Sequence, residues 1–226
     1  IHIAADPMYQ MVPIRGFPAD LSLTSPADIA FRALLPAMTE HENAAADKIA
    51  ARRDRIMSAH AELEEAWKAK LEKDKDQSPI SPAFLSHCLN QLRDPDTIMV
   101  RESPLMHQYV DIDRPGTLLN AGAASGLGHG MGVALGAQMA APDKLVIGTE
   151  GDGAYMFNVP VSCHYVAAEQ NLPILWIVFN NQHWQAVRRS TVGLEPDGYA
   201  AKANRQPLTH FTVDQRYEKA VEVSGG

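Results

Sequence analysis

Two short polar tips hold the residues best suited to chemistry in this sequence. Asp152 stands in Gly151-Asp152-Gly153 and Asn181 in Asn180-Asn181, and each tip closes an apolar, β-branched run, 145–148 and 174–179. Asp152 offers a hard carboxylate oxygen and Asn181 a neutral amide oxygen. Gly153 lets backbone N–H groups approach an anion closely. This inventory suits Mg²⁺, which takes a few protein oxygens together with water and the oxygens of a bound phosphate. The residues read as a cradle for a diphosphate and Mg²⁺.

The elements that must position these tips follow from the pattern between them. A helix-length segment, 158–171, precedes Pro173 and joins the two apolar runs. Strand, crossover helix and strand make a parallel βαβ unit with a right-handed connection. Both tips then lie at carboxyl ends of parallel strands, where open α/β sheets bind ligands. The expected fold class is α/β, a parallel sheet with helices on both faces.

Gly-Asp-Gly, then 26 residues, then Asn-Asn resembles the signature of thiamine diphosphate (ThDP) enzymes. The longer stretch SGLGHGMGVALGAQMAAPDKLVIGTEGDGAYMFN, with NLPILWIVFNNQHW after it, is similar to the acetolactate synthase and benzoylformate decarboxylase branch. The resemblance covers residues 77–226 and, weakly, 1–38. It implies ThDP and Mg²⁺ as cofactors, with Asp152, Asn181 and the His183 carbonyl as metal ligands. Gly153 and Ala154 become diphosphate N–H donors, and the 103–105 loop (Ser103, Pro104, Leu105) adds diphosphate contacts, chiefly through backbone N–H groups. Leu127, beside Gly126, takes the place of the bulky apolar wedge that bends ThDP. The Ser125 carbonyl faces the cofactor's amine, and the Leu127 N–H a pyrimidine nitrogen. Trp184 and Phe157 line the substrate side, although Trp184 reads equally as a packed indole.

Composition bounds the rest. The chain has 226 residues, 46% hydrophobic and 21% charged, with net charge −7. An ordinary soluble domain has this balance. The acidic charge argues against nucleic-acid and anionic-membrane partners. No apolar run is long enough to span a bilayer. Cys88 and Cys163 lack metal-ligand spacing and read as reduced core thiols of a cytoplasmic protein.

In chain order, residues 1–38 resemble the end of the family's central domain: an extended start, then a helix over 25–38 with Ser25 as N-cap and Pro26 at its first position. Residues 39–76, charged and without Gly or Pro, predict one long solvated linker helix. Residues 77–226 form the ThDP diphosphate- and Mg²⁺-binding domain, with a helix over 83–92, a strand over 97–100, an active-site loop or lid over 191–204 and a helix over 214–223. The chain opens on Ile1-His2-Ile3 without Met and stops at Gly225-Gly226, as expected for a piece of a longer polypeptide.

Six glycines crowd residues 121–137; for Gly130, Gly132 and Gly136 the expectation is close helix packing. His129 and His164 read as structural histidines. The resemblance implies decarboxylation of a 2-oxo acid, carboligation, or both. It also implies that the carboxylate activating the pyrimidine comes from a pyrimidine-binding domain of a second subunit or chain, within a homodimer or homotetramer. Glu102, Glu150 and Glu169 fall outside that motif and receive no catalytic role. The chain is thus a half-site. The alternatives are an inert ThDP-binding fragment or subunit and a nucleotide-binding oxidoreductase domain, the latter disfavoured because no ribose-binding acid follows the glycines.

Overall fold

A computed structural model describes residues 1–7, 18–102, 104–120, 126–203, 206 and 208–226. The chain divides into two compact units, Ile1–Glu65 and Ala66–Gly226. In the first, strands β1 (His2–Ala4) and β2 (Ser22–Thr24) pair in parallel. Helix α1 (Ala27–Glu42) buries no residue and carries Asp28 in its first turn, where a carboxylate suits the helix dipole. The helix expected to stop at residue 38 therefore runs four residues further. A 3₁₀ turn at Asn43–Ala45 separates it from α2 (Ala46–Asp74), so residues 39–76 are not one helix. Along α2 only Asp74 is buried, as the polar composition requires.

The second unit holds the α/β core. Helix α3 (Pro82–Leu92) starts with Pro82 and is capped by Ser81, whose Oγ accepts the Phe84 N–H at 3.1 Å. Strands β3 (Ile98–Glu102), β4 (Leu118–Asn120), β5 (Val146–Gly151) and β6 (Ile174–Phe179) form a parallel sheet in the order β4-β3-β5-β6. Their side chains alternate between two apolar layers. On one face Met99, Ile147 and Phe179 pack with Leu89 of α3; on the other Ile98, Val100 and Val146 pack with Ala134 of α4 (Gly130–Ala140). Helices thus cover both faces of the parallel sheet, the expected fold class. No described helix is long and apolar enough to cross a membrane, and both cysteines are free.

Three local expectations change. The crossover helix starts at the strand end and is broken, giving α5 (Asp152–Phe157) and α6 (Pro160–Glu169). Val159 takes φ 53° between them, and Pro160 bars its preceding residue from the helical region. Residues 191–194 complete helix α7 (Gln185–Leu194), and Tyr199–Lys202 is the short helix α8, so this stretch is largely helical rather than a loop. Helix α9 (Tyr217–Val223) begins three residues later than expected. Strand β4 was not foreseen.

Candidate active site

Strands β5 and β6 pair in register through Gly151 and Phe179, which brings their tips together. Asp152 is 2% exposed there. Its Oδ1 accepts the Gly153 N–H at 2.8 Å, and its Oδ2 accepts the N–H groups of Asn181 at 3.1 Å and Gln182 at 2.6 Å. Burial pushes the Asp152 carboxyl up, and the backbone N–H groups around it pull it back without cancelling that rise.

The chain after β6 is shaped by its own side chains. Asn180 Oδ1 accepts the Gln182 N–H at 3.2 Å, Asn181 Oδ1 accepts the His183 N–H at 2.9 Å, and Gln182 lies at φ 57°. Asparagine makes such turns because its short carbonyl reaches the N–H two residues on. The strap is tied down by Trp184 N–H to Thr209 O and Phe211 N–H to Gln182 O, both 2.9 Å, and by a bridge between His183 and His210. The His183 carbonyl accepts the Gln185 N–H at 2.8 Å.

Gly153 is required by what lies over it. A Cβ at this position would stand 2.5 Å from carbons of the Trp184 indole. That indole makes edge-to-face contacts with Phe157 (5.5 Å between centroids) and Phe211 (4.9 Å). Trp184 is therefore a packed, half-buried indole next to the cradle. Phe157 also touches the glycine-rich segment: Gly128 lies at φ 85°, and a Cβ there would meet the Phe157 carbonyl oxygen at 2.7 Å. Leu127, beside the exposed Gly126, is half exposed. Asp152, Gly153, Ala154, Asn181, His183 and Trp184 thus form one cluster, and the Leu127 segment joins it through Phe157.

The remaining expectations fare differently. Ser103 and Ser125 lie outside the described residues. Leu105 is a core residue, fully buried with Leu89, Met99 and Ile147, so its side chain is withdrawn from any ligand. Pro104 beside it is half buried. At Gly132 and Gly136 a Cβ would meet nothing within 4 Å, so helix packing among the described residues does not require these glycines. His164 is structural, buried with its Nε2 2.6 Å from the Tyr155 hydroxyl.

Sequence reasoning missed a second buried cluster. Glu102 and Glu150 are register partners at the ends of β3 and β5, 6% and 0% exposed. Glu102 accepts the N–H groups of Gly128 at 2.5 Å and Gly130 at 2.7 Å through its two oxygens. Asn158 Nδ2 donates to Glu102 at 3.2 Å, Glu150 at 3.3 Å and the Ala154 carbonyl at 2.9 Å, while Asn158 Oδ1 accepts the Met131 N–H at 2.9 Å. His129 Nδ1 is 3.0 Å from the Gly126 carbonyl and 3.4 Å from Glu102. Burial, then the adjacent Glu102 charge, push Glu150 up to about 9, so it is a neutral acid that can donate to Glu102. Burial also works to raise Glu102, but the N–H groups of Gly128 and Gly130, with Asn158 and Glu150, outweigh it and hold it below its ordinary value. A Cβ on Gly130 would stand 2.2 Å from Glu150 Oε1. Gly130 admits a carboxyl pair rather than a helix. The available signal was a glutamate closing each of two apolar strand runs.

Comparison with known proteins now bears on the cluster at the β5 and β6 tips. The family described as thiamine pyrophosphate enzyme, C-terminal TPP binding domain, matches residues 102–225. This chain belongs to that family. It is 32% identical to benzoylformate decarboxylase of Pseudomonas aeruginosa over 118 residues, covering 50% of this chain and 22% of that protein. It is also 32% identical to the acetolactate synthase large subunit of Corynebacterium glutamicum over 130 residues, covering 54% and 20%. The thiamine diphosphate-dependent 4-hydroxybenzoylformate decarboxylase of Rhodococcus jostii RHA1 superimposes with TM-score 0.55 at 25% identity, covering 65% of this chain and 26% of that one. The chain matches only about a fifth of the length of these curated relatives. Within this thiamine pyrophosphate-binding domain, the cluster at the tips occupies the carboxyl edge of the sheet.

The donor set there fits a diphosphate-bound Mg²⁺. Among the described residues no group of three or more His, Cys, Asp or Glu could hold a metal. An ion would rest on one carboxylate, one amide and one main-chain carbonyl, all hard oxygens, which suits Mg²⁺. Asn181 Oδ1 and the His183 carbonyl each accept one hydrogen bond and keep a second lone pair. Asp152 is buried with its charge under-compensated.

Proposed function

We propose that this chain is the diphosphate- and Mg²⁺-holding half of a ThDP-dependent enzyme that decarboxylates a 2-oxo acid, joins it to a second carbonyl, or both. The observation that carries the reading is Asp152, buried at the end of β5 and bound through its carboxylate to the backbone that follows β6. Asp152, the Asn181 amide oxygen and the His183 carbonyl hold the metal. The backbone around Gly153 and Ala154 takes the diphosphate, with further contacts from residues 103–105. The Leu127 side chain supports the cofactor between its rings, and the Gly126, Leu127 and Ser125 backbone faces the pyrimidine. Trp184 and Phe157 wall the site and exclude water. ThDP, when bound, supplies the nucleophilic carbon and the electron sink that departure of carbon dioxide requires.

The activating carboxylate is assigned to a pyrimidine-binding domain of a second subunit or chain, because Glu102 and Glu150 are both engaged inside the fold. The assembly expected is a homodimer or homotetramer, in the cytoplasm. One further reading is a ThDP-holding subunit inert by itself.

The test is calorimetric titration of the full-length protein with ThDP, with and without Mg²⁺. Wild type should bind only with the metal, and Asp152→Ala should lose metal-dependent binding. Tight Mg²⁺-dependent binding by that variant would refute the site. Turnover of benzoylformate or pyruvate only after a pyrimidine-binding domain is added would identify an inert subunit.

A further inference from the structure

The buried carboxylate of Glu102 serves none of the roles given above, yet it makes two short long-range ties. Its two oxygens clamp the N–H groups of Gly128 and Gly130, 26 and 28 residues away in sequence. Those groups flank the turn that carries Leu127 into helix α4. Gly128 lies at φ 85° and is pressed against the Phe157 carbonyl, so only glycine fits there. The clamp is itself held: Asn158 donates to Glu102 and Glu150 and accepts from Met131 of α4. Every part of the turn after Leu127 is thereby referred to the rigid ends of β3 and β5.

We propose that Glu102 is a positioning residue, whose carboxylate fixes the turn at Gly128–Gly130 so that Leu127 is presented to the cofactor at a set height and angle. This rests on the ThDP reading above, which gives Leu127 its role; the clamp itself does not depend on it. A side chain half exposed to solvent, as Leu127 is, has little packing of its own to orient it. Its backbone must do so, and a carboxylate accepting two N–H groups is the strongest constraint at hand. Glutamine in place of Glu102 keeps the shape but turns one acceptor into a donor facing an N–H.

Two measurements on the full-length protein test this. In the apo protein, amide hydrogen exchange should be slow at Gly128 and Gly130, and Glu102→Gln should speed it by at least roughly tenfold there, leaving β6 unchanged. In the presence of Mg²⁺, Glu102→Gln should weaken ThDP binding by roughly ten- to a hundredfold in the wild-type background. In the Leu127→Ala background the same substitution should weaken binding by less than about threefold, because the part it positions is gone. Equal losses in both backgrounds would overturn the positioning role, since Glu102 would then act without Leu127. Unchanged exchange at Gly128 and Gly130 would overturn the clamp. Failure of the wild-type protein to bind ThDP at all would overturn the cofactor reading and the wedge role with it, and is thereby distinguished from failure of the clamp. Should Glu102→Gln not fold, Glu102→Asp, which keeps the charge and withdraws it by one methylene, is read in the same two ways.

Discussion

Asp152 and Glu102 are two buried carboxylates at the carboxyl ends of neighbouring parallel strands, and they are solvated in opposite senses. Asp152 accepts backbone N–H groups from Gly153, Asn181 and Gln182, yet burial still lifts its carboxyl above the ordinary range. Glu102 accepts two backbone N–H groups, an amide and a neutral carboxyl, and these carry it below the ordinary range against its burial. Hydrogen bonds to the charged form and desolvation are the competing effects, and they divide differently at the two strand ends. One carboxylate is left under-compensated at the strand tip, beside the turn that carries Asn181 and His183. The other is complete without a cation. The first arrangement suits a metal ligand and the second a structural clamp, although the residue types are nearly the same.

The sharpest way to break this comparison is to remove the under-compensated charge. Asp152→Asn should weaken Mg²⁺-dependent ThDP binding by at least about a hundredfold, since in the proposed site it removes the charge of the one carboxylate assigned to the metal. The rise in thermal midpoint that Mg²⁺ and ThDP give the wild type should vanish with it, because a ligand that binds only the folded state stabilises by mass action. A midpoint that still rises by the wild-type amount would place the ion elsewhere.

The next effect separates glycines that look alike in sequence. Gly130→Ala would drive a Cβ against Glu150, which Asn158 pins in a closed interior, and should cost about 1–3 kcal/mol of stability. Gly132→Ala, two residues on and on the exposed side of α4, meets nothing within 4 Å and should gain about 0.5–1 kcal/mol from helix propensity. Urea denaturation of both variants decides it, and equal signs would mean that the carboxyl pair does not fill the space under Gly130. Gly153→Ala belongs between them. Its Cβ must displace the Trp184 indole, so a shift in tryptophan emission should accompany a loss of about 1 kcal/mol or more.

These contrasts also mark what the sequence could disclose. The β5–β6 unit and Asp152 were legible because the signal is local: an apolar run closed by Gly-Asp-Gly, another by Asn-Asn. Glu102 and Glu150 were not, because each alone is an ordinary polar residue ending a strand. They meet only through the β3–β5 register, which no local pattern states. Leu105 failed for the converse reason: an apolar residue just past a strand was read as loop, but the chain turns back and buries it. The crossover was read as one helix because Val159-Pro160 allows a helix to start at 160, and only the left-handed Val159 shows that another had just ended. Residues 191–204 were read as a loop or lid from their polar, Gly- and Pro-containing composition, which does not register that 191–194 continue α7 and that 199–202 form α8.

The smallest effect is a slope, and it tests the sign of the Glu102 solvation directly. A carboxyl whose folded-state value lies below its unfolded one, 4.5 here, binds fewer protons when folded. Its contribution to stability is then complete above pH 4.5 and is lost as pH falls through the lower folded value. Glu102→Gln cannot take up that proton. The difference in unfolding free energy between wild type and Glu102→Gln should therefore be constant from neutral pH down to about 5 and shrink below it. Carboxylates that Glu102 does not touch act on both chains alike, and because Glu150 senses the Glu102 charge the comparison is made with Glu150→Gln in both chains, so that the difference isolates this group. A carboxyl at Glu102 unshifted from its unfolded value would leave the difference flat through the acid range. A carboxyl lifted by burial, as at Asp152, would reverse the sign, with the wild type gaining on the variant as pH falls. Urea midpoints at closely spaced pH values from 6 downward distinguish the three cases.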